Sequence, residues 1–168
     1  MSGRQSAKSV VVLDTAAILS GCTSPTNDNY TVNGVLRELE KFGVDFELAP
    51  FSPFVTVMEP SEEYIACATM AASKTGDSVL LSEIDLSLIG LALQLRKTDG
   101  RPVELFTDDY ALTNVARFLG LKHSFVGLRK EGFNVIKWIW FCPSCHRVYF
   151  NGRRVCPDCG TKLKRKPR

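Results

Sequence analysis

Ser9-Val-Val-Val-Leu13-Asp14-Thr15 is a short aliphatic run closed by a carboxylate and a hydroxyl. Apolarity that is continuous rather than alternating marks a strand covered on both faces, as in a parallel sheet packed between helices. Asp14 falls at the C-terminal end of that strand, the edge where open parallel sheets gather their ligands. Downstream, Val32–Phe42 sets Val35, Leu36, Leu39 and Phe42 at helical spacing, and Gly43 stops the pattern. Phe46–Leu48 reads as a short second strand. Pro60 opens a helix running to about Lys74, with Tyr64, Ile65, Ala68 and Ala72 on one side and Thr75-Gly76-Asp77 as its closing turn. Ser82 caps a helix over Glu83–Lys97 that is apolar on more than one side. Val103–Phe106, Asp109–Phe118 and His123–Val126 continue as strand, helix and strand. The alternation predicts an α/β fold, a parallel sheet flanked by helices with right-handed crossovers.

The chain has 168 residues, 45% hydrophobic and 23% charged. That is enough for one ordinary domain plus a very small module, and it excludes a large multidomain machine and broad disorder. The run Val10–Leu13 is too short for a signal-peptide core. Ile84–Leu95 is interrupted by Asp85, Ser87 and Gln94 and falls short of a membrane span. The expected setting is the cytoplasm with no membrane partner, where thiols stay reduced and six cysteines serve as metal ligands or core residues. The net charge of +3 conceals an asymmetry: Met1–Phe125 carries 10 basic and 16 acidic residues, Val126–Arg168 carries 11 and 2. An acidic body joined to a basic region points to a polyanionic partner for the latter. Two glycines and several charges between Gly127 and Asn134 mark a linker, dividing the chain into a body (1–126), the linker (127–134) and a C-terminal module (135–168).

That module contains Cys142-Pro-Ser-Cys145 and Cys156-Pro-Asp-Cys159. Two residues between cysteines let both thiolates of a tight turn face one ion, and two such knuckles complete the closed tetrahedral shell of one structural Zn²⁺. A redox or disulfide pair is the weaker alternative, and His146 reads as a surface residue, replacement of a cysteine ligand being its alternative. The flanks Val135–Phe141 and Arg147–Phe150 read as strands of a small β zinc ribbon. Its size leaves too little core for stability without metal. Cys22 and Cys67 have no CxxC partner and read as small apolar residues. Arg147, Arg153, Arg154, Lys162, Lys164, Arg165 and Lys166 are candidate RNA contacts, with Arg168 behind them in a terminal charge run. The interleaved Trp138, Trp140, Phe141, Tyr149 and Phe150 are expected to form the ribbon's own core.

In the body, Asp14 ends the first strand and Asp108 and Asp109 follow Val103–Phe106. Asp85 shares a helix face with Leu88, Ile89 and Ala92, and Glu38 lies beside Val35 and Phe42, so both are expected to point inward. Inward carboxylates without matching cations repel one another, which a hard divalent ion, Mg²⁺ or Mn²⁺, relieves. Such an ion binds a phosphodiester and activates water. The structural alternative is helix capping: Asp85 closes a Ser82-Glu-Ile-Asp85 capping box, and Thr107 or Asp108 caps the next helix.

Val11-Val-Leu-Asp14-Thr15, Val35-Leu-Arg-Glu38-Leu39, Leu81-Ser-Glu-Ile-Asp85 and Phe106-Thr-Asp108-Asp109-Tyr110 with Asn114-Val-Ala116 resemble the PIN nuclease domain in motif order and spacing. Followed by a four-cysteine ribbon, the chain is similar to the archaeal form of the Nob-type endonuclease family of ribosome maturation, from Val10 to Lys164. The resemblance implies an endoribonuclease that trims the 3′ end of precursor small-subunit ribosomal RNA within a pre-ribosomal particle beside other assembly factors, using Mn²⁺ or Mg²⁺. It implies Asp14, Glu38 and Asp85 as metal-binding acids, with the fourth on the Asp108-Asp109 pair, Asp109 preferred. Val32-Asn33-Gly34 departs from the Thr-Pro-Ser common at that point among relatives. A non-catalytic RNA-binding assembly factor and a toxin-type PIN ribonuclease are the competing readings.

Overall fold

The computed structural model describes residues 8–126, 134–150 and 152–168. In chain order the elements are β1 (Val10–Leu13), α1 (Thr15–Leu19), β2 (Asp28–Thr31), α2 (Asn33–Lys41), a 3₁₀ turn (Ser52–Phe54), β3 (Val55–Val57), α3 (Glu62–Thr75), α4 (Glu83–Thr98), β4 (Val103–Thr107), α5 (Tyr110–Phe118) and β5 (Lys122–Phe125). β6 (Trp138–Phe141), β7 (Val148–Tyr149) and β8 (Lys164–Pro167) follow. The first five strands form one parallel sheet in the order β3-β2-β1-β4-β5. β1 is central, and all four of its residues are buried between helices. Among the described residues no helix is long and apolar enough to cross a membrane.

The strand expected at Phe46–Leu48 is absent; that stretch is turn. The neighbours of β1 on that side are instead β2, Asp-Asn-Tyr-Thr, and the three-residue β3. β2 escapes a hydrophobicity reading because its inward residues are polar, their donors bonded to carbonyls elsewhere in the chain while Asn29 Oδ1 is buried without a partner among the described residues. The Asn29 amide donates to the carbonyls of Ser24 and Phe54 at 2.8 and 2.9 Å, and Thr31 Oγ1 donates to Leu13 O at 2.8 Å. Phe42, expected on the buried face of α2, is 67% exposed, since the helix ends at Lys41 and the 3.6-residue phase no longer applies. Cys67, expected among apolar neighbours, is exposed on α3, whereas Cys22 packs against the core.

Two close approaches set the geometry. Val32 offers no side-chain cap to α2, and Glu59 supplies one from beyond β3, accepting from Asn33 N at 2.7 Å. At Gly34 a β-carbon would lie 2.6 Å from Ile84 Cγ1, so only glycine lets the first turn of α2 sit against the first turn of α4.

β6, β7 and β8 form an antiparallel sheet, order β7-β6-β8, over a small core of Trp140, Cys142, Cys156 and Leu163. The terminal charge run is thus ordered as a strand whose residues are exposed. Lys164–Pro167 is a strand, with Arg165 opposite Trp140 and Lys166 opposite Ile139. The linker expected at 127–134 lies, apart from Asn134, outside the described residues.

The ribbon is joined to the body by hydrogen bonds. The Asn114 amide donates to Asp77 Oδ2 and to Ile136 O, and its oxygen accepts from Ile136 N at 2.8 Å. Trp140 Nε1 donates to Gly76 O at 3.0 Å, and Arg154 to Val79 O at 2.9 Å. Gly76 ends α3 in the left-handed region (φ +82°), and a β-carbon there would lie 2.5 Å from Trp138 O. Gly76→Ala is expected to cost about 1–3 kcal/mol for the backbone conformation alone, and more as Trp138 is pushed away. A lower urea midpoint checks this, and an unchanged midpoint would contradict the packing described.

Candidate active site and metal centre

The sheet order places β1 beside β4, with connections leaving in opposite directions, so the C-terminal ends of these two strands border the switch-point crevice. Asp14 follows β1, and its backbone N–H still donates to Phe106 O on β4. Its side chain caps α1, Oδ1 accepting from Ala17 N at 2.6 Å. Asp109, two residues past β4, caps α5, Oδ1 accepting from Ala111 N at 2.6 Å and Leu112 N at 3.1 Å. Asp85 completes the capping box of α4. Its Oδ2 accepts from Ser82 N at 2.7 Å and Ser82 Oγ at 2.8 Å, and Ser82 Oγ accepts from Asp85 N. Glu38 projects from the middle of α2 and accepts from Thr15 Oγ1. Asp108 is exposed at the rim, and Glu40 is exposed away from Glu38.

The capping and metal-binding readings of these acids are thus compatible. For Asp85 and Asp109 every capping bond falls on one carboxylate oxygen, so among the described residues the other remains for a ligand. Asp14 is 8% exposed, and burial pushes its pKa up to about 6. Hydrogen bonds from Thr107 and Ala17 pull the other way, while the charge of Asp108 adds to the rise. Asp85 is raised for the same first reason, with Asp109 and Glu38 each adding repulsion. Among the described residues no ion pair reaches Asp14, Glu38, Asp85 or Asp109. Carboxylate oxygens grouped in a partly buried edge with no ion-paired cation among the described residues are a donor set suited to a hard divalent ion.

The cysteines make a tighter cluster: all four Sγ atoms lie within 4.8 Å of one another, and no other group of three or more such ligands among the described residues does so. The two knuckles repeat one geometry. Cys142 N donates to Arg147 O and Cys156 N to Thr161 O, and His146 N donates to Cys142 O as Gly160 N does to Cys156 O. His146 (φ +62°) and Gly160 (φ +73°) hold matching left-handed positions. His146 therefore turns its knuckle, and its side chain is exposed outside the cluster, which removes it as a competing ligand.

The basic residues divide. Arg147 pairs with Asp158, Arg154 is tied to Val79, and Arg165 reaches Asp77 at 3.2 Å while lying 4.2 Å over the Trp138 ring. Lys166 lies over Phe141 at 5.3 Å, and Arg153, Lys162 and Lys164 are exposed. Of the aromatics, Trp140 is buried in the ribbon core, whereas Phe150 is 60% exposed. Asp77, in the closing turn of α3, is fully buried between Asn114 and Arg165. Only its place directly after the left-handed Gly76 sets it apart in sequence.

This fold and this edge define a class of nuclease. Residues 11–95 match the family model described as the PIN domain of ribonuclease. The chain is 36% identical over 162 residues to Endoribonuclease Nob1 of Pyrococcus abyssi, covering 94% of each. It is 33% identical over 160 residues to Endoribonuclease Nob1 of Methanothermobacter thermautotrophicus, covering 92% of this chain and 91% of that one. It is also 31% identical over 157 residues to Ribonuclease VapC1 of Thermoplasma acidophilum, covering 93% and 77%. The chain belongs to the PIN-domain ribonucleases, and within them to the Nob-type endoribonuclease family.

Proposed function

We propose that the protein hydrolyses a phosphodiester at the 3′ end of precursor small-subunit ribosomal RNA, in the cytoplasm and within a maturing particle. In this reading residues 1–126 cut and residues 135–168 hold the substrate. The observation that supports it is that Asp14 and Asp109 flank the switch-point crevice, Glu38 is bonded to Thr15 beside Asp14, and Asp85 feels the charges of Asp109 and Glu38, in a chain whose relatives include endoribonucleases; among the described residues no three of these carboxylates lie within 4.8 Å of one another.

Asp14, Glu38, Asp85 and Asp109 would hold Mn²⁺ or Mg²⁺, with Asp108 at the rim. When bound, such an ion polarises the scissile phosphate and acidifies a water. The protein's part is positional. Thr15 fixes the Glu38 carboxylate, and the caps hold Asp85 and Asp109 in single rotamers. The four cysteines would hold one Zn²⁺ in a closed shell, with no open position for chemistry. Arg153, Lys162 and Lys164 are the ribbon cations best placed to meet RNA phosphates.

The test is incubation with Mn²⁺ of an RNA spanning the 3′ end of the precursor. Products should carry 5′-phosphate and 3′-hydroxyl ends, and a 2′-deoxy nucleotide at the cut should be tolerated, because water rather than the 2′-hydroxyl attacks. A 2′,3′-cyclic phosphate would reject this chemistry, and no cleavage would favour a non-catalytic RNA binder. The match to Ribonuclease VapC1 supports a second reading, action on transfer or messenger RNA, which the same assay separates by substrate competition.

A further inference from the structure

Between α5 and the ribbon lies a cavity of about 370 Å³, walled by Tyr110, Ala111 and Asn114 from the body and by Ile136, Trp138 and Arg165 from the ribbon. Its size falls within the range of small-ligand pockets, roughly 300–1,000 Å³. We propose that it is a nucleotide subsite, taking one unstacked base of the RNA strand beside the phosphate to be cut. The assignment of that phosphate rests on the function proposed above.

Three features carry the inference. The first is position. Tyr110 directly follows Asp109, and Ala111 donates its N–H to the Asp109 carboxylate, so the cavity wall begins one residue from a proposed metal ligand. A strand whose phosphate lies at the acids has a neighbouring base within reach of this wall.

The second is the nature of the walls. Tyr110 is 52% exposed, and its ring is braced by Phe125 at 5.4 Å between centroids. Trp138 has the Arg165 guanidinium 4.2 Å over its ring, and Arg165 is anchored in turn on the buried Asp77. Two braced aromatic rings beside an arginine are the elements on which single-stranded nucleic acids stack their bases. The cation also complements the charge of the strand's backbone.

The third is the floor. Asp77 receives Arg165 on one oxygen and Asn114 on the other, and Asn114 is further engaged with Ile136. Asp77 and Asn114 are committed within the protein, so the floor offers no free hydrogen-bonding edge of its own and recognition rests mainly on stacking, which accepts any base. The subsite therefore fixes where along the strand the cut falls and does not read its sequence. Because its walls come from both units, the ribbon takes part in placing the substrate as well as in attracting it.

The test uses the full-length, zinc-loaded chain carrying Asp14→Asn, so that RNA stays intact. Its affinity is measured for a short fluorescein-labelled single-stranded RNA and for the same RNA with one abasic residue walked along it. One abasic position, next to the cut bond, should weaken binding by about 5- to 100-fold. Adding Tyr110→Leu should weaken binding of the intact RNA comparably and abolish the penalty at that position, whereas Tyr110→Phe should preserve both. Penalties that are the same with and without Tyr110→Leu at every position would overturn the subsite. A readout needing no change at Tyr110 is quenching of tryptophan emission by the intact RNA, lost with that one abasic RNA; no such loss also overturns it. Coupling at Tyr110 in a protein whose wild type cuts nothing would leave the subsite standing and remove the nuclease site. Cleavage without coupling would do the reverse.

Discussion

Asp14→Asn should lower RNA cleavage by about 10³-fold or more while leaving a protein more stable than its parent above pH 6. The two effects share one cause. Asp14 is buried, and its pKa stands at about 6 against an ordinary 3.8. A carboxyl whose pKa is raised by folding contributes most when protonated, and its contribution falls as pH climbs through this interval. Above pH 6, with no divalent ion added, the ionised group costs the fold up to about 3 kcal/mol. Asparagine keeps the cap on Ala17 N, cannot ionise and relieves that cost, but it supplies a poorer ligand to a hard cation. Denaturation profiles of the two proteins should converge near pH 4 and separate above pH 6, and added Mn²⁺ should stabilise the parent more than the variant. Cleavage within about tenfold of the parent would reduce Asp14 to a helix cap.

Removing the ion from the four cysteines, by chelation or by Cys156→Ser, should unfold the ribbon and leave the body folded. The ribbon's own core is Trp140, Leu163 and two of the cysteines, whereas the body has a continuous core running from Val10 to Leu121. If the ion is Zn²⁺, its binding carries roughly 10–16 kcal/mol, far more than so small a core contributes. Amide resonances of β6, β7 and β8 should collapse while those of the parallel sheet persist. The slope of log affinity for RNA against log salt should flatten by about one for each phosphate that the unfolded ribbon no longer neutralises. Cys67→Ser, at an exposed position outside the cluster, is the control and should change neither. Ribbon resonances that survive chelation would show that the strands stand without metal.

What was legible in the sequence was what is local. The continuous apolar run of β1, the periodic faces of α3 and α4, the Ser82–Asp85 capping box and the cysteine spacing each depend on residues within a few positions of one another. The missed elements are those whose stability comes from elsewhere. β2 is polar because Asn29 and Thr31 bond to distant carbonyls, and β8 is cationic because β6 supplies its pairing and Trp138 and Phe141 supply faces for its charges. How near Asp14, Glu38, Asp85 and Asp109 come to one another depends on strand order and on the approach of α2 to α4, neither of which spacing reveals. Asp77 is the same problem in miniature: a charged residue in a turn reads as solvated, and only its partners, Asn114 and Arg165, from 37 and 88 residues away, make burial tolerable.

Gly34 bears on how closely two of the acids approach. With no side chain between the first turns of α2 and α4, the two helices close on each other, and they carry Glu38 and Asp85. Any larger residue there would act as a wedge, and the opening between the carboxylates would widen. The absence of one methyl group thus sets how near the elements bearing Glu38 and Asp85 can come.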